Sequence, residues 1–316
     1  SQWMVRELGS SRKLAMVTAE ASQLGPDWLP RMHPINSSRS KVNEPFFVFG
    51  SGRNGSTLLN LMLNMHPELF LPSEQYFLGD SIIKYKLYNF LNWRDLMKII
   101  VGELLTSAKK HTWDISTDDM FERLLNLEEK SLESVIETIY RSYGDKITDF
   151  SIWGDTTPSN TAYIPEIFSL FPKSKYIFLI RDGRDVVASH KNAGEFVKRF
   201  SEPKLSANLW IESIGYYDWL KSKCDVLLVK YEDLVNSPES ILKAISDHLG
   251  IEYVDQYLNF HQHKPTNLVY KEPVFDNIDK PLFNASIGRY SQDLSGTEIA
   301  NVTSAMHKHL LRFEYL

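Results

Sequence analysis

A short apolar run that ends in glycine and opens into a glycine-rich turn constrains this chain most. Pro45-Phe-Phe-Val-Phe-Gly50 carries no polar residue to mark a solvent face. It therefore predicts a strand buried on both sides, as in a parallel sheet. Gly50-Ser-Gly-Arg-Asn-Gly-Ser-Thr57 follows, and a helical pattern over Thr57–Met65 comes directly after it. Glycines let the backbone turn tightly and aim N–H groups inward, and the start of the helix adds partial positive charge. A strand, turn and helix in this order make a place for a phosphate or a sulfate.

Further apolar runs at Tyr176–Ile180 and Val226–Val229 precede helical patterns at Arg184–Ala193 and Pro238–Leu249. Strands alternating with helices predict an α/β fold with a central parallel β-sheet flanked by helices. Between Leu78 and Tyr143 only helical signals occur, as in Trp93–Lys109 and Leu132–Tyr143, which predicts a helical insertion over about 78–143. Ser295-Gly-Thr-Glu298 has the spacing of a capping box and predicts a helix that reaches Phe313. The expected organisation is an N-terminal arm or cover over 1–44 and a single domain over 45–316.

Composition narrows the function classes. With 316 residues, 43% of them hydrophobic, the chain can bury a large core. A net charge of -5 leaves no broad basic face for a nucleic acid polymer. One cysteine, Cys224, excludes an internal disulfide framework and a Cys-based zinc site, and suggests a reducing, cytoplasmic setting. No window approaches the roughly eighteen consecutive apolar residues of a membrane helix, so no membrane partner is expected. His261 with His263, and His307 with His309, are two residues apart, and a helix turns such pairs to different faces. No metal is expected.

Gly50 and Gly55 keep the G-x-x-x-x-G spacing of a Walker loop, but Ser56 stands where nucleoside-triphosphate enzymes carry lysine. The turn suits an anion while lacking the group that reaches β- and γ-phosphates. Its cation is Arg53. A second anion-binding feature is Tyr176-Ile-Phe-Leu-Ile-Arg-Asp-Gly-Arg-Asp-Val-Val-Ala-Ser189. An arginine at a strand end offers a planar fork of donors to phosphate oxygens, and Ser189 lies two helical turns further on.

Together these two segments resemble the phosphate motifs of the sulfotransferases that use 3′-phosphoadenosine-5′-phosphosulfate (PAPS), in particular the tyrosylprotein, Golgi-type and bacterial members. The resemblance implies that Arg53, Asn54, Gly55, Ser56 and Thr57 hold the 5′-phosphosulfate, and that Arg181 and Ser189 hold the 3′-phosphate. Leu228-Val-Lys-Tyr-Glu-Asp-Leu234 is similar to a family segment whose tyrosine, here Tyr231, contacts adenine. Ser286-Ile-Gly-Arg-Tyr-Ser-Gln-Asp-Leu294 resembles a loop that closes over the nucleotide, with Ser286 and Arg289 as contacts. Glu74, in a stretch that continues to Tyr76 and Phe77, lies in a segment similar to one that carries a catalytic glutamate in the family, and is the expected base for the acceptor's proton, with His111 and His66 as the alternatives. Arg53 is the expected catalytic cation.

The sequence departs from the family pattern at Ile152-Trp-Gly-Asp-Thr-Thr-Pro-Ser-Asn160, where Thr156 takes the place of an expected lysine. Thr156 also stands where it could cap a helix over Pro158–Leu170. The expected function is metal-free transfer of the sulfuryl group of PAPS, with PAP as the product. The expected acceptor is a hydroxyl, amine or guanidine of a small molecule such as a natural product. A P-loop kinase-like phosphotransferase and a catalytically inactive nucleotide-binding scaffold are the alternatives.

Overall fold

The computed structural model describes residues 31–38, 43–106, 113, 116–193, 200–262, 282 and 284–316. The chain divides into two compact units. One lies within Ser1–Glu44, Glu74–Asp149 and Pro165–Lys173; the other comprises Pro45–Ser73, Phe150–Ile164 and Ser174–Leu316.

The second unit is built on five parallel strands: β1 (Phe46–Phe49), β2 (Leu69–Phe70), β3 (Ile152–Asp155), β4 (Lys175–Ile180) and β5 (Val226–Lys230), in the order β2-β3-β1-β4-β5. In β1 both faces are covered, as the unbroken apolar run requires. Phe46 and Val48 join Ile177, Leu179 and Val229 in one core cluster, which also takes in Leu59 and Met62 of helix α1 (Ser56–Leu63). Phe47 and Phe49 point the other way and stack with Tyr176 at ring separations of 5.9 and 6.0 Å. Each such aromatic buried from water contributes roughly 1.5–3 kcal/mol. A polar residue at any of these four positions would break one face or the other.

Helices α7 (Gly183–Lys191), α8 (Pro203–Lys221), α9 (Tyr231–Asn236), α10 (Pro238–Leu249), α11 (Tyr290–Asp293) and α12 (Gly296–Arg312) complete this unit. The capping box at Ser295 and Glu298 is formed as the spacing predicts. Helix α7 approaches its neighbours so closely that a Cβ on Gly183 would lie 2.6 Å from Met306 and 2.8 Å from Trp210. Pro158–Tyr163 forms a 3-10 helix, with Thr157 rather than Thr156 at its start. The Asp155 carboxylate accepts the Thr157 N–H at 2.6 Å, which leaves Thr156 no capping work.

The first unit is helical, with α2 (Phe77–Leu87), α3 (Trp93–Thr106), α4 (Thr117–Leu125) and α5 (Leu132–Gly144); α6 (Ile164–Leu170) begins at its edge. Residues 31–38 are strapped along it. The N–H of His33 is held by the Asn89 amide at 2.9 Å, and the N–H of Ser37 by Glu133 at 2.7 Å. Trp113 stacks on Tyr143 with ring centroids 4.6 Å apart.

Candidate nucleotide site

Four connections leave the C-terminal ends of adjacent strands, where ligands of open α/β sheets bind. After β1 comes the Gly50–Thr57 loop, after β3 Thr156, after β4 Arg181, and after β5 Tyr231. The loop has three left-handed residues within four positions: Gly52 (φ 78°), Arg53 (φ 54°) and Gly55 (φ 98°). Left-handed residues bend a turn tightly enough for its backbone N–H groups to come close to an anion. Arg53 has a Cβ and holds this conformation at a cost of about 1–3 kcal/mol, a strain of the kind found at functional sites. Thr161 fixes the start of the loop by accepting the Gly50 N–H at 2.9 Å and donating to the Gly50 carbonyl at 2.8 Å.

Arg181 joins the parts. Its Nη1 donates to the carbonyl of Arg53 at 3.1 Å, and its Nη2 donates to the carbonyl of Ser286. The guanidinium lies 4.7 Å from the Tyr231 ring centre, and Asp185 stands 3.8 Å away. Its Nε is buried and has no hydrogen-bond partner among the described residues. A buried donor of this kind is costly to leave unpaired, and a phosphate oxygen would satisfy it. Arg53 closes the link from the other side, its Nε donating to Ser189 Oγ at 3.0 Å. Asn54 anchors the loop to β4 through the carbonyl of Leu179 at 2.7 Å, and its own Oδ1 is buried with no partner among the described residues. Burial raises the Tyr231 phenol above its ordinary range, and the Ser286 hydroxyl is hydrogen-bonded to it.

Arg53, Asn54, Gly55, Arg181, Ser189, Tyr231 and Ser286 are thus brought together, with Ser56 and Thr57 opening α1. Arg289 is exposed and paired with Asp293 at 2.6 Å on its own helix. Glu74 belongs to the other unit, directly after Ser73 in the chain. Among the described residues, no group of three or more His, Cys, Asp or Glu is placed to hold a metal ion. Thr156 is buried, and its Oγ1 accepts from Asn60 at 2.9 Å.

Residues 45–255 match the model of the sulfotransferase family. The chain belongs to that family. By that membership it is a PAPS-dependent sulfotransferase, and its parallel sheet with flanking helices is the P-loop-like fold expected. This sulfotransferase is 27% identical over 284 residues to protein-tyrosine sulfotransferase A of Caenorhabditis elegans, covering 83% of this chain and 66% of the relative. A stretch of 80 residues is 29% identical to the membrane-associated sulfotransferase kil1 of Dictyostelium discoideum, covering 25% of this chain and 16% of that one. The sulfotransferase domain of the Synechococcus PCC 7002 olefin synthase superposes with a TM-score of 0.57 at 19% identity, over 86% of this chain and 97% of that domain. The cytoplasmic setting expected from the sequence is overturned beside these relatives, one of which is a membrane-associated enzyme. That expectation rested on one cysteine and the lack of an apolar span, neither of which carries an address.

Sequence reasoning missed three supports of the sulfotransferase site: Thr161, Asp185 and His190. Asp185 is buried and accepts backbone N–H bonds from Gly288 at 2.8 Å and Tyr290 at 2.9 Å. The repeated Arg-Asp of Arg181-Asp-Gly-Arg-Asp185 was the available signal. His190 is buried, with Nδ1 2.7 Å from Ser206 Oγ. Burial, and then the charge of Arg53, hold the His190 imidazole down at about 3 against its ordinary 6.5.

The folded chain therefore keeps His190 neutral while the unfolded chain takes up a proton below about pH 6.5. This contribution to stability is complete above that pH and is lost as pH falls towards 3, by roughly 3 kcal/mol between pH 7 and pH 4. Urea midpoints of the wild type and His190→Gln over that interval check it. The wild type should lose more stability than the variant by that amount, and parallel curves would reject the assignment.

Proposed function

We propose that this chain transfers a sulfuryl group from PAPS to an oxygen acceptor, with the hydroxyl of a tyrosine in a protein or peptide as the first acceptor to consider. The observation that carries the donor half is Arg181, whose buried Nε has no partner among the described residues and whose Nη1 is bonded to a loop with three left-handed residues. In this reading the backbone from Arg53 to Thr57 takes the 5′ end of the nucleotide, Arg181 and Ser189 take its 3′-phosphate, and Tyr231 flanks the base. Ser286 holds the turn that follows, and Arg289 adds charge at its rim. Bound PAPS supplies an electrophilic sulfuryl group on a phosphate leaving group. Arg53 places positive charge at the loop, where the leaving group gains negative charge. Thr156 Oγ1 accepts from Asn60 and so has its own proton to donate. Glu74 takes the acceptor's proton. The tyrosyl acceptor rests on likeness to a protein-tyrosine sulfotransferase, and the small-molecule acceptor is the second reading.

Two measurements test this. PAP should raise the melting temperature while ATP with Mg²⁺ should not; stabilisation by ATP alone would return the chain to the phosphotransferases. Mass spectrometry of tyrosyl peptides and small phenols incubated with enzyme and PAPS then reads the acceptor. Sulfation confined to the small molecules would move the acceptor to that class. Glu74→Gln should lower kcat by about 100-fold or more, the usual range for loss of a general base, with PAP affinity unchanged. A loss under fivefold would remove Glu74 from the chemistry.

A further inference from the structure

The turn over residues 286–290 returns to the site across more than a hundred positions of sequence, and it meets one buried carboxylate. Asp185, in the first turn of α7, is 1% exposed. Its Oδ2 takes the N–H of Gly288 at 2.8 Å and its Oδ1 takes the N–H of Tyr290 at 2.9 Å. Both acceptor atoms are thus spent on backbone donors two residues apart, a grip that fixes the direction of the turn as well as its distance. The same carboxylate stands 3.8 Å from Arg181 Nη2, and that nitrogen donates to the carbonyl of Ser286, at the other end of the turn. A second contact runs parallel to this one. The Arg184 guanidinium lies 4.3 Å from the Tyr290 ring centre and is itself held by Asp182 through Nη2 at 2.6 Å. Gly288 is left-handed (φ 72°), so the chain reverses just where Asp185 holds it.

The consequence concerns Arg181. Its two terminal nitrogens are committed to the carbonyls of Arg53 and Ser286, which aims the remaining Nε. Were the turn released, the Ser286 carbonyl would leave and the guanidinium would be free to rotate towards Asp185. The carboxylate therefore acts on the nucleotide at one remove.

We infer that Asp185 is a positioning residue for nucleotide binding, holding the 286–290 turn so that Arg181 is aimed at the 3′-phosphate of the donor. The inference rests on the assignment of Arg181 to that phosphate. Its test compares PAP with adenosine 5′-phosphate, which lacks the 3′-phosphate, by calorimetry on the full chain. Wild type should bind PAP at least 20-fold more tightly. Asp185→Asn keeps the shape but presents an NH₂ to one of the two backbone donors. It should weaken PAP by tenfold or more and adenosine 5′-phosphate by less than twofold. A merely structural role would lower the melting temperature and leave the ratio of the two affinities alone.

Gly288→Ala is the second variant. No atom of a described residue lies within 4 Å of a Cβ there, so the change acts on the turn through its left-handed φ. It should reduce the PAP preference by threefold to tenfold, and it decides the matter if Asp185→Asn does not fold. A wild type that binds both nucleotides equally would take away the assignment of Arg181. A wild type that prefers PAP, with variants that keep the full preference, would overturn the role of Asp185 alone.

Discussion

Arg181→Lys should lower kcat/KM for PAPS by about 100-fold while the chain stays folded. Arginine at this position makes two hydrogen bonds, to Arg53 and to Ser286, and its guanidinium lies 4.7 Å from the Tyr231 ring centre. Lysine retains the charge but has one compact head, which cannot span both carbonyls and still offer a donor to a ligand. A 100-fold loss is about 2.7 kcal/mol of transition-state stabilisation, in line with one charge-assisted bond and the positioning that goes with it. The charge retained explains why folding survives, for Asp185 and Glu232 lie close by, and burial already raises both carboxyls above their usual range. Arg181→Met would leave them without that cation, and removal of one partner from such a buried group costs about 3–5 kcal/mol. Steady-state kinetics with PAPS varied, together with circular dichroism, reads both effects. A fall under fivefold for the lysine variant would mean that Arg181 does not touch the donor.

What was legible in the sequence follows from how strongly each element is buried. Strands β1 and β4 are covered on both faces and show as apolar runs, and the edge strand β5, only partly covered, still shows as one. Strand β2 is two residues long and β3 contains a glycine and an aspartate, so neither shows a period. Helix α8 went unread for a different reason. Its buried stripe includes Ser206 and Ser213, while Leu205 on the other side is exposed, so hydrophobicity and burial disagree along it. The loop and Arg181 were legible because each ends a strand with an anion-binding residue. The repeated Arg-Asp marks Asp185, but its role was not legible, since its partners lie 103 and 105 residues away and are backbone groups, which leave no mark on the residue types chosen. Thr157 took the helix start from Thr156 because the carboxylate of Asp155 reaches its N–H.

Gly55→Ala is expected to have the other large effect, because two independent constraints meet at that residue. Gly55 caps α1 with φ 98° and ψ 13°, a conformation that an L side chain rarely adopts. A Cβ there would also lie 2.4 Å from Cδ2 and 2.9 Å from Cε2 of Tyr231. The strain costs about 1–3 kcal/mol and the overpacking about another 1–3 kcal/mol. Relief requires either the Tyr231 ring to move off Arg181 or the loop to leave its left-handed turn. Each route degrades the anion site, so PAP affinity should fall at least 30-fold and the melting temperature by several degrees. The double variant Gly55→Ala/Tyr231→Ala separates the two causes. Removing the ring abolishes the clash and leaves the φ penalty, so the double variant should be more stable than the sum of the two single changes implies. Strict additivity in thermal melts would show that the ring and the glycine do not press on one another. Affinity for PAP should stay low in the double variant, because the turn that aims the N–H groups remains strained whether or not the ring is present.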